Sequence, residues 1–396
     1  MQINRDLQAT SHIIRWLERS SETSDHLLDE IPGVFAILAA DGQILRSNRN
    51  FSAQAGVQFE TTTEMSFFDL VEFGGGTSLA DFFQKLFAES NLKLEGTFKF
   101  VRQEPRRFQF DFSTFRSSLA NSSDLIIVHG QDVTDIQRMA YENARMNSEL
   151  DFAKKIQSSL FPPDYFELEN FQIAGYLMPA TECAGDWWHY SQHENKLIVW
   201  IGDVVGHGAA SALLTSAVNS AISILETGER SSISATLARL NTMIFQTTRG
   251  SQCMTMQGFE IDLISGLCRV ASASHPEPFK VYRSRDHDTK KLVSLMETLP
   301  SAMLGASMGS SYTEIEFQIS PGERIFLYTD GVSELRNERG DMYGGRRLIK
   351  SLDKIGALPG LGAKAFREAF LEEVASFKGE AILEDDLTFI VIQRNQ

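Results

Sequence analysis

The 396-residue chain carries 52 Asp and Glu against 37 Lys and Arg, a formal charge of -15, and that balance argues against nucleic acid or an anionic membrane as the main partner. Its length suits two or three domains with cores of their own, while three scattered cysteines (Cys183, Cys253, Cys268) are too few for a disulfide framework or a zinc site. No apolar run is long enough for a membrane span and the N-terminus lacks the apolar core of a signal peptide, so a cytoplasmic protein with no membrane partner is expected.

Residues 1–30 read as a helix, with Leu7, Ile13, Ile14, Trp16, Leu17, Leu27 and Leu28 spaced among polar residues. From Ile31 the pattern turns to strands. Residues 34–38 lead into an Asp41-Gly42 hairpin turn, 97–101 and 108–112 alternate with period two on either side of Pro105, and 125–128 form a last strand. This is the pattern of a small mixed α/β module over 31–133. Its opening, IPGVFAILAADGQILRSNRNF, and its exit, HGQDVTDIQ, resemble a PAS sensory domain. The resemblance implies a sensor or dimerisation role and leaves the PAS ligand unknown.

Residues 134–162 form a helical connector. Met139, Met146, Ala153 and Leu160 repeat at one heptad position and Ile136, Asn143, Leu150 and Gln157 at the other, a seam that suits pairing of two protomers in a homodimer. Asn143 and Gln157 weaken the seam, and a plain packed linker is the alternative. Pro162-Pro163 ends the helix.

Residues 163–396 read as many strands with grouped helices. Strands are expected at 171–178, 197–201, 255–264, 267–273, 279–282, 324–329 and 387–392, and helices at 209–225, 230–247, 345–355 and 362–377. Hairpinned strands with helices grouped between them favour a layered antiparallel β-sandwich flanked by helices, so the fold class is α+β. The run Leu197 to Ile201 suits a strand buried on both faces; it stops at Gly202-Asp203 and is followed by an uncharged helix. A dinucleotide fold is disfavoured there, because the acid expected at the end of a second strand is replaced by Glu226 at the end of the helix itself.

Four acidic spots adjoin Gly or a second Asp at strand ends: Gly185-Asp186, Gly202-Asp203, Asp330-Gly331 and Asp385-Asp386. One alone is an ordinary turn. Four that converge at one edge of a sandwich would suit hard divalent cations such as Mg²⁺ or Mn²⁺. Two unit charges about 5 Å apart repel by roughly 3 kcal/mol at an effective dielectric near 20, so such a cluster needs cations or protons. No cysteine is followed by Arg six positions later, which removes a thiolate phosphatase loop.

The motifs ELDFAKKIQSSLFPP, ECAGDWW, IGDVVGHGAASAL, YTDGVSE and EDDLTFIVI, in that order, resemble the PPM serine/threonine phosphatases of the SpoIIE and RsbU type. The resemblance implies two divalent ions, Mn²⁺ or Mg²⁺, held by Asp186, Asp203, Asp330, the Val204 carbonyl and Asp385, with Asp386 beside it and the division between those two open. It further implies hydrolysis by metal-activated water, without a covalent phosphoenzyme, of a phosphorylated protein such as a STAS-domain antagonist of an anti-sigma factor. His189 stands where family members often have a second Asp, and Ser274-His275-Pro276 replaces Gly-His-Pro. His207 and His275 are open between acid or phosphate-orienting roles and structural ones. A pseudo-enzyme that binds a phosphoprotein, or a hydrolase of another phosphate ester, are the rival functions.

Overall fold

The computed structural model describes residues 24–74, 78–100, 106–116, 124–181, 183–206, 208–227, 231–282 and 292–395. The chain forms two compact units, Met1–Arg145 and Met146–Gln396. Most of the N-terminal helix expected over 1–30, the Pro105 turn and His207 lie outside the described residues.

In the first unit, a short helix α1 (Ser24–Asp29) precedes strands β1 (Val34–Leu38) and β2 (Ile44–Ser47), helices α2 (Arg49–Ala55) and α3 (Phe67–Leu70), strand β3 (Val71–Phe73), helix α4 (Leu79–Glu89) and strands β4 (Asn91–Phe98), β5 (Arg107–Arg116) and β6 (Asp124–Asp132). The six strands make one antiparallel sheet in the order β2-β1-β6-β5-β4-β3. Period-two alternation on β5 turns Phe108, Phe110 and Phe112 inward, where they meet Phe51, Phe67, Phe82 and Phe98. The rings meet mostly edge to face, as Phe82 and Phe112 do with centroids 4.8 Å apart. Buried Asn48 caps α2 by accepting from the Phe51 amide at 2.9 Å; it also accepts from the Phe35 amide at 3.0 Å and donates to the Gly33 carbonyl at 3.0 Å.

Helix α5 (Thr134–Ser158) runs from the first unit into the second. It carries little apolar burial of its own: Ile136, Met139, Met146 and Phe152 are all more than half exposed.

The second unit contains β7 (Tyr165–Glu167), β8 (Phe171–Met178), β9 (Asp186–His193) and β10 (Lys196–Val204), then helices α6 (Ala209–Thr227) and α7 (Ile233–Thr248). Strands β11 (Met254–Asp262), β12 (Leu267–Ala273), β13 (Phe279–Val281), β14 (Val293–Leu295), β15 (Ile315–Gln318) and β16 (Arg324–Tyr328) follow. Helices α8 (Asp330–Glu334), α9 (Gly344–Gly356) and α10 (Ala363–Lys378) and strand β17 (Leu387–Arg394) complete it. One sheet runs β15-β12-β11-β10-β9 and the other β14-β13-β16-β17-β8-β7, each antiparallel throughout.

Residues of both sheets, among them Leu197, Val199, Ile201, Phe259, Leu327, Ile390 and Ile392, share the central core. Outside the five-stranded sheet, Ile198 and Trp200 pack with Leu214, Val218 and Ile222 of α6 and Leu237, Leu240 and Ile244 of α7. Outside the six-stranded sheet, Phe326, Phe389 and Val391 meet Leu348 and Leu352 of α9 and Phe366 and Phe370 of α10. The result is an α/β/β/α sandwich, an α+β architecture in which β10 is buried on both faces. Helix α6 is long and apolar enough to cross a membrane, yet its inner face is part of this core.

Candidate metal centre

The acids are brought to one end of the sandwich by strand register. Asp186 opens β9 and pairs directly with Asp203 near the end of β10, whose other neighbour is Thr255 of β11. From the second sheet, Thr329 follows β16 and donates its hydroxyl to Asp186 Oδ2 at 2.8 Å, which ties the two sheets together at this edge. Asp330, the next residue, opens α8. Gly331 has no room for a side chain, because a Cβ there would lie 1.9 Å from the Asp386 carbonyl oxygen. That close approach keeps α8 against the Asp385-Asp386 segment ahead of β17.

The neighbouring aspartates at 385 and 386 do different things. Asp386 is buried, and its carboxylate accepts the Ala180 amide at 2.7 Å, the Gly185 amide at 2.6 Å and the Asp186 amide at 3.2 Å. It therefore fixes the backbone that presents Asp186. Asp385 is exposed, accepts the Asp386 amide at 2.8 Å, and acts electrostatically on Asp203. Of the two, Asp385 faces outward and Asp386 is taken up by the backbone around Asp186. Backbone amides engage both oxygens of Asp386, the residue that the sequence reading set beside Asp385 in the metal set.

Burial and carboxylate crowding leave their mark on acidity. Burial, with Asp330 and Asp385 nearby, pushes Asp203 up from the ordinary carboxylate range to about 8. Burial, then Asp203, pushes Asp186 well up in the same direction, and burial and Glu334 raise Asp330. The Val204 carbonyl oxygen lies 3.4 Å from where a Cβ on Gly185 would stand, against the same turn. Among the described residues no three acids, imidazoles or thiols close on a single point at metal-ligand spacing. The acids instead crowd one low-dielectric edge where burial and neighbouring carboxylates are the main influences raising Asp186, Asp203 and Asp330, a setting that a divalent cation fits.

The histidines separate. His275 is buried, its Nδ1 is 2.9 Å from the Thr255 hydroxyl, and burial pushes its pKa down to about 3. A ring held neutral in this way sits against Thr255, on the strand beside Asp203. His189 lies away from the acids, with Nε2 3.8 Å from Glu226 at the end of α6 and its ring stacked on Trp187.

Gln157 is a contributor that the heptad reading treated as a flaw in the seam. It is buried, donates from Nε2 to the Ala184 carbonyl at 2.7 Å and to the Thr215 hydroxyl at 3.1 Å, and accepts the Ala184 amide at 3.0 Å. The C-terminal turn of α5 thus holds the backbone two residues before Asp186. Its polarity among apolar seam positions was the available signal.

A family model described as Stage II sporulation protein E (SpoIIE) matches residues 193–395. The chain is similar to the phosphoserine phosphatase RsbU of Bacillus subtilis, 27% identical over 218 residues that cover 55% of this chain and 63% of that protein. It is also similar to protein IcfG of Synechocystis, 24% identical over 275 residues that cover 62% of this chain and 42% of that protein. The match therefore spans less than two thirds of the length of either relative. In fold it is similar to the SiaA-PP2C domain of Pseudomonas aeruginosa, with a TM-score of 0.54 at 21% identity, covering 65% of this chain and all of that one. A family match over just over half the chain makes this chain a member of the SpoIIE family, on a PP2C-like fold.

Proposed function

We propose that the chain is a metal-dependent phosphatase that removes phosphate from Ser or Thr of a protein, with a STAS-domain antagonist of an anti-sigma factor as the substrate class, in a cytoplasmic partner-switching pathway. The observation that carries the reading is the convergence of Asp186, Asp203, Asp330 and Asp385 from four chain segments onto one edge, where burial and neighbouring carboxylates raise Asp186 and Asp203. Asp186, Asp203, Asp330 and Asp385, with the Val204 carbonyl, would hold two Mn²⁺ or Mg²⁺ ions. When bound, such ions supply an activated water and charge stabilisation for the leaving oxygen.

The chain's own residues do the holding. Asp386 and Gln157 fix the 184–186 backbone from two sides, Thr329 orients the Asp186 carboxylate, and Gly331 lets α8 pack closely enough to place Asp330. Cys183 and Cys268 are buried and cannot offer a covalent route at the surface. Intact acids at every spot weigh against a pseudo-enzyme.

In the same reading the first unit is a PAS-like sensor, supported by its antiparallel sheet order and by its exit into α5. The exposed apolar stripe of α5 is the homodimer contact.

The test is substitution within the acid set. Asp203→Asn and Asp330→Asn should each lower phosphate release from a phosphoserine protein by orders of magnitude while the far-ultraviolet dichroism stays that of the parent, since each removes a ligand charge and keeps the shape. Near-parental rates in either variant would show that the chemistry lies elsewhere.

A further inference from the structure

The basic stretch beyond α8 is out of keeping with the rest of the chain. Between Arg336 and Lys354 it holds Arg336, Arg339, Arg346, Arg347, Lys350 and Lys354 against Glu338, Asp341 and Asp353, in a protein of net charge -15. Some of these cations are spoken for. Arg336 pairs with Glu384 at 3.3 Å, Lys354 with Glu373, and Arg347 lies 4.2 Å over the Phe377 ring. Arg339, Arg346 and Lys350 are exposed and make no ion pair among the described residues.

The placement of Arg346 and Arg347 is itself informative. They sit in the first turn of α9, where no acidic residue is present. Cations at a helix N-terminus oppose the helix dipole, so a stability argument would put Asp or Glu there. On the helix, Leu348, Leu352 and Ile355 point inward, which leaves Arg346, Ile349 and Lys350 on the outer face, and Ile349 is 43% exposed. Met342, 45% exposed, stands just ahead of them.

This ridge is joined to the acid site. The Leu335–Tyr343 segment that leaves α8 folds back on itself, with the Tyr343 amide bonded to the Leu335 carbonyl at 2.8 Å. The segment is also fastened to the loop ahead of Asp385, through the Glu380 amide donating to Glu338 at 2.8 Å and through Arg336 and Glu384. The segment that carries Arg339 and leads into α9, with Arg346 and Lys350, is thus tied by chain and by these contacts to α8, which Asp330 opens, and to the loop ahead of Asp385.

We infer that this ridge, Arg339, Arg346 and Lys350 around Met342 and Ile349, is the docking surface for an acidic partner protein, which it holds while the partner's phosphorylated residue reaches the acid edge. The inference rests on the phosphoprotein reading above. A body of charge -15 repels an acidic partner at long range, and a local cationic ridge beside the site supplies both attraction and orientation. The two apolar side chains among the cations give the contact a core that excludes water.

The test uses the full chain and two phosphoserine peptides, one with an acidic, leucine-containing tail and one with a basic tail. Binding is titrated in chelator, so that it is read without turnover, and hydrolysis of a small aryl phosphate with Mn²⁺ is measured alongside. Arg346→Glu with Lys350→Glu should weaken binding of the acidic-tailed peptide roughly tenfold, with a smaller loss in the double Ala variant and a loss with added salt in the parent. Aryl phosphate turnover should not change. Unaltered binding in the Glu variant, or equal loss for both peptides, would overturn the inference. So would parental binding to phosphatidylserine vesicles that the same variant loses while its peptide affinities stay intact, which would give the ridge to a membrane. Absence of aryl phosphate turnover in the parent would defeat the catalytic reading alone, because the chelator titration still decides the ridge.

Discussion

At the scale of single residues, the raised pKa values of the site tie metal to stability. Asp203 has a folded pKa of about 8 against an ordinary 3.8, so over that interval the folded protein holds a proton that the unfolded chain has released. Its contribution is therefore full below pH about 4 and is lost as pH rises through about 8. In chelator, the melting temperature of the parent should fall between these limits more steeply than that of Asp203→Asn, and Mn²⁺ should restore the parent most at the upper end. A chelated parent and Asp203→Asn with parallel pH profiles would mean that the carboxylate is not held against its own charge. The Asp385-Asp386 pair shows where sequence is silent at this scale. Two identical side chains in succession carry no sign of which will meet the Ala180, Gly185 and Asp186 amides and which will face outward; only the approach of β8 and β9 to the start of β17 decides it.

Among the elements, β10 and α6 were the most legible, because an unbroken apolar run followed by glycines and an uncharged helix has few other uses. Strand β9 was less so. Its residues, DWWHYSQH, show no clean alternation, and its pairing with β10 is what places Asp186 opposite Asp203. Helix α8 is five residues long, below what periodicity can detect, although it carries Asp330. Helix α5 was expected from its heptads, but Gln157 belongs to the fold of the second unit instead of a seam between helices. Ahead of Gln157 the exposed Met139 and Met146 keep the spacing of a paired helix. Leu150→Asp should then reduce the dimer seen by light scattering and change the phosphatase rate at limiting Mn²⁺ much more than at saturating Mn²⁺. An unchanged mass and unchanged rates at every metal concentration would leave α5 as a tether.

On the scale of the whole molecule, two compact units share one helix, and the end of that helix holds the backbone before Asp186. A small displacement there is enough to matter, since a misplacement of about 1 Å near a reacting centre costs on the order of a hundredfold in rate. The same economy governs the charge. The chain is acidic overall and gathers acids at one edge, while Arg339, Arg346 and Lys350, which make no ion pair among the described residues, lie along the segment that follows Asp330. The acid edge is proposed to work only with divalent cations bound. The most direct measurement is phosphate release by the purified chain from a phosphoserine protein and from an aryl phosphate, with Mn²⁺, with Mg²⁺ and with chelator. Release that requires either cation, stops on chelation and returns when the cation is added back is the predicted result; release that continues unchanged in chelator would contradict it.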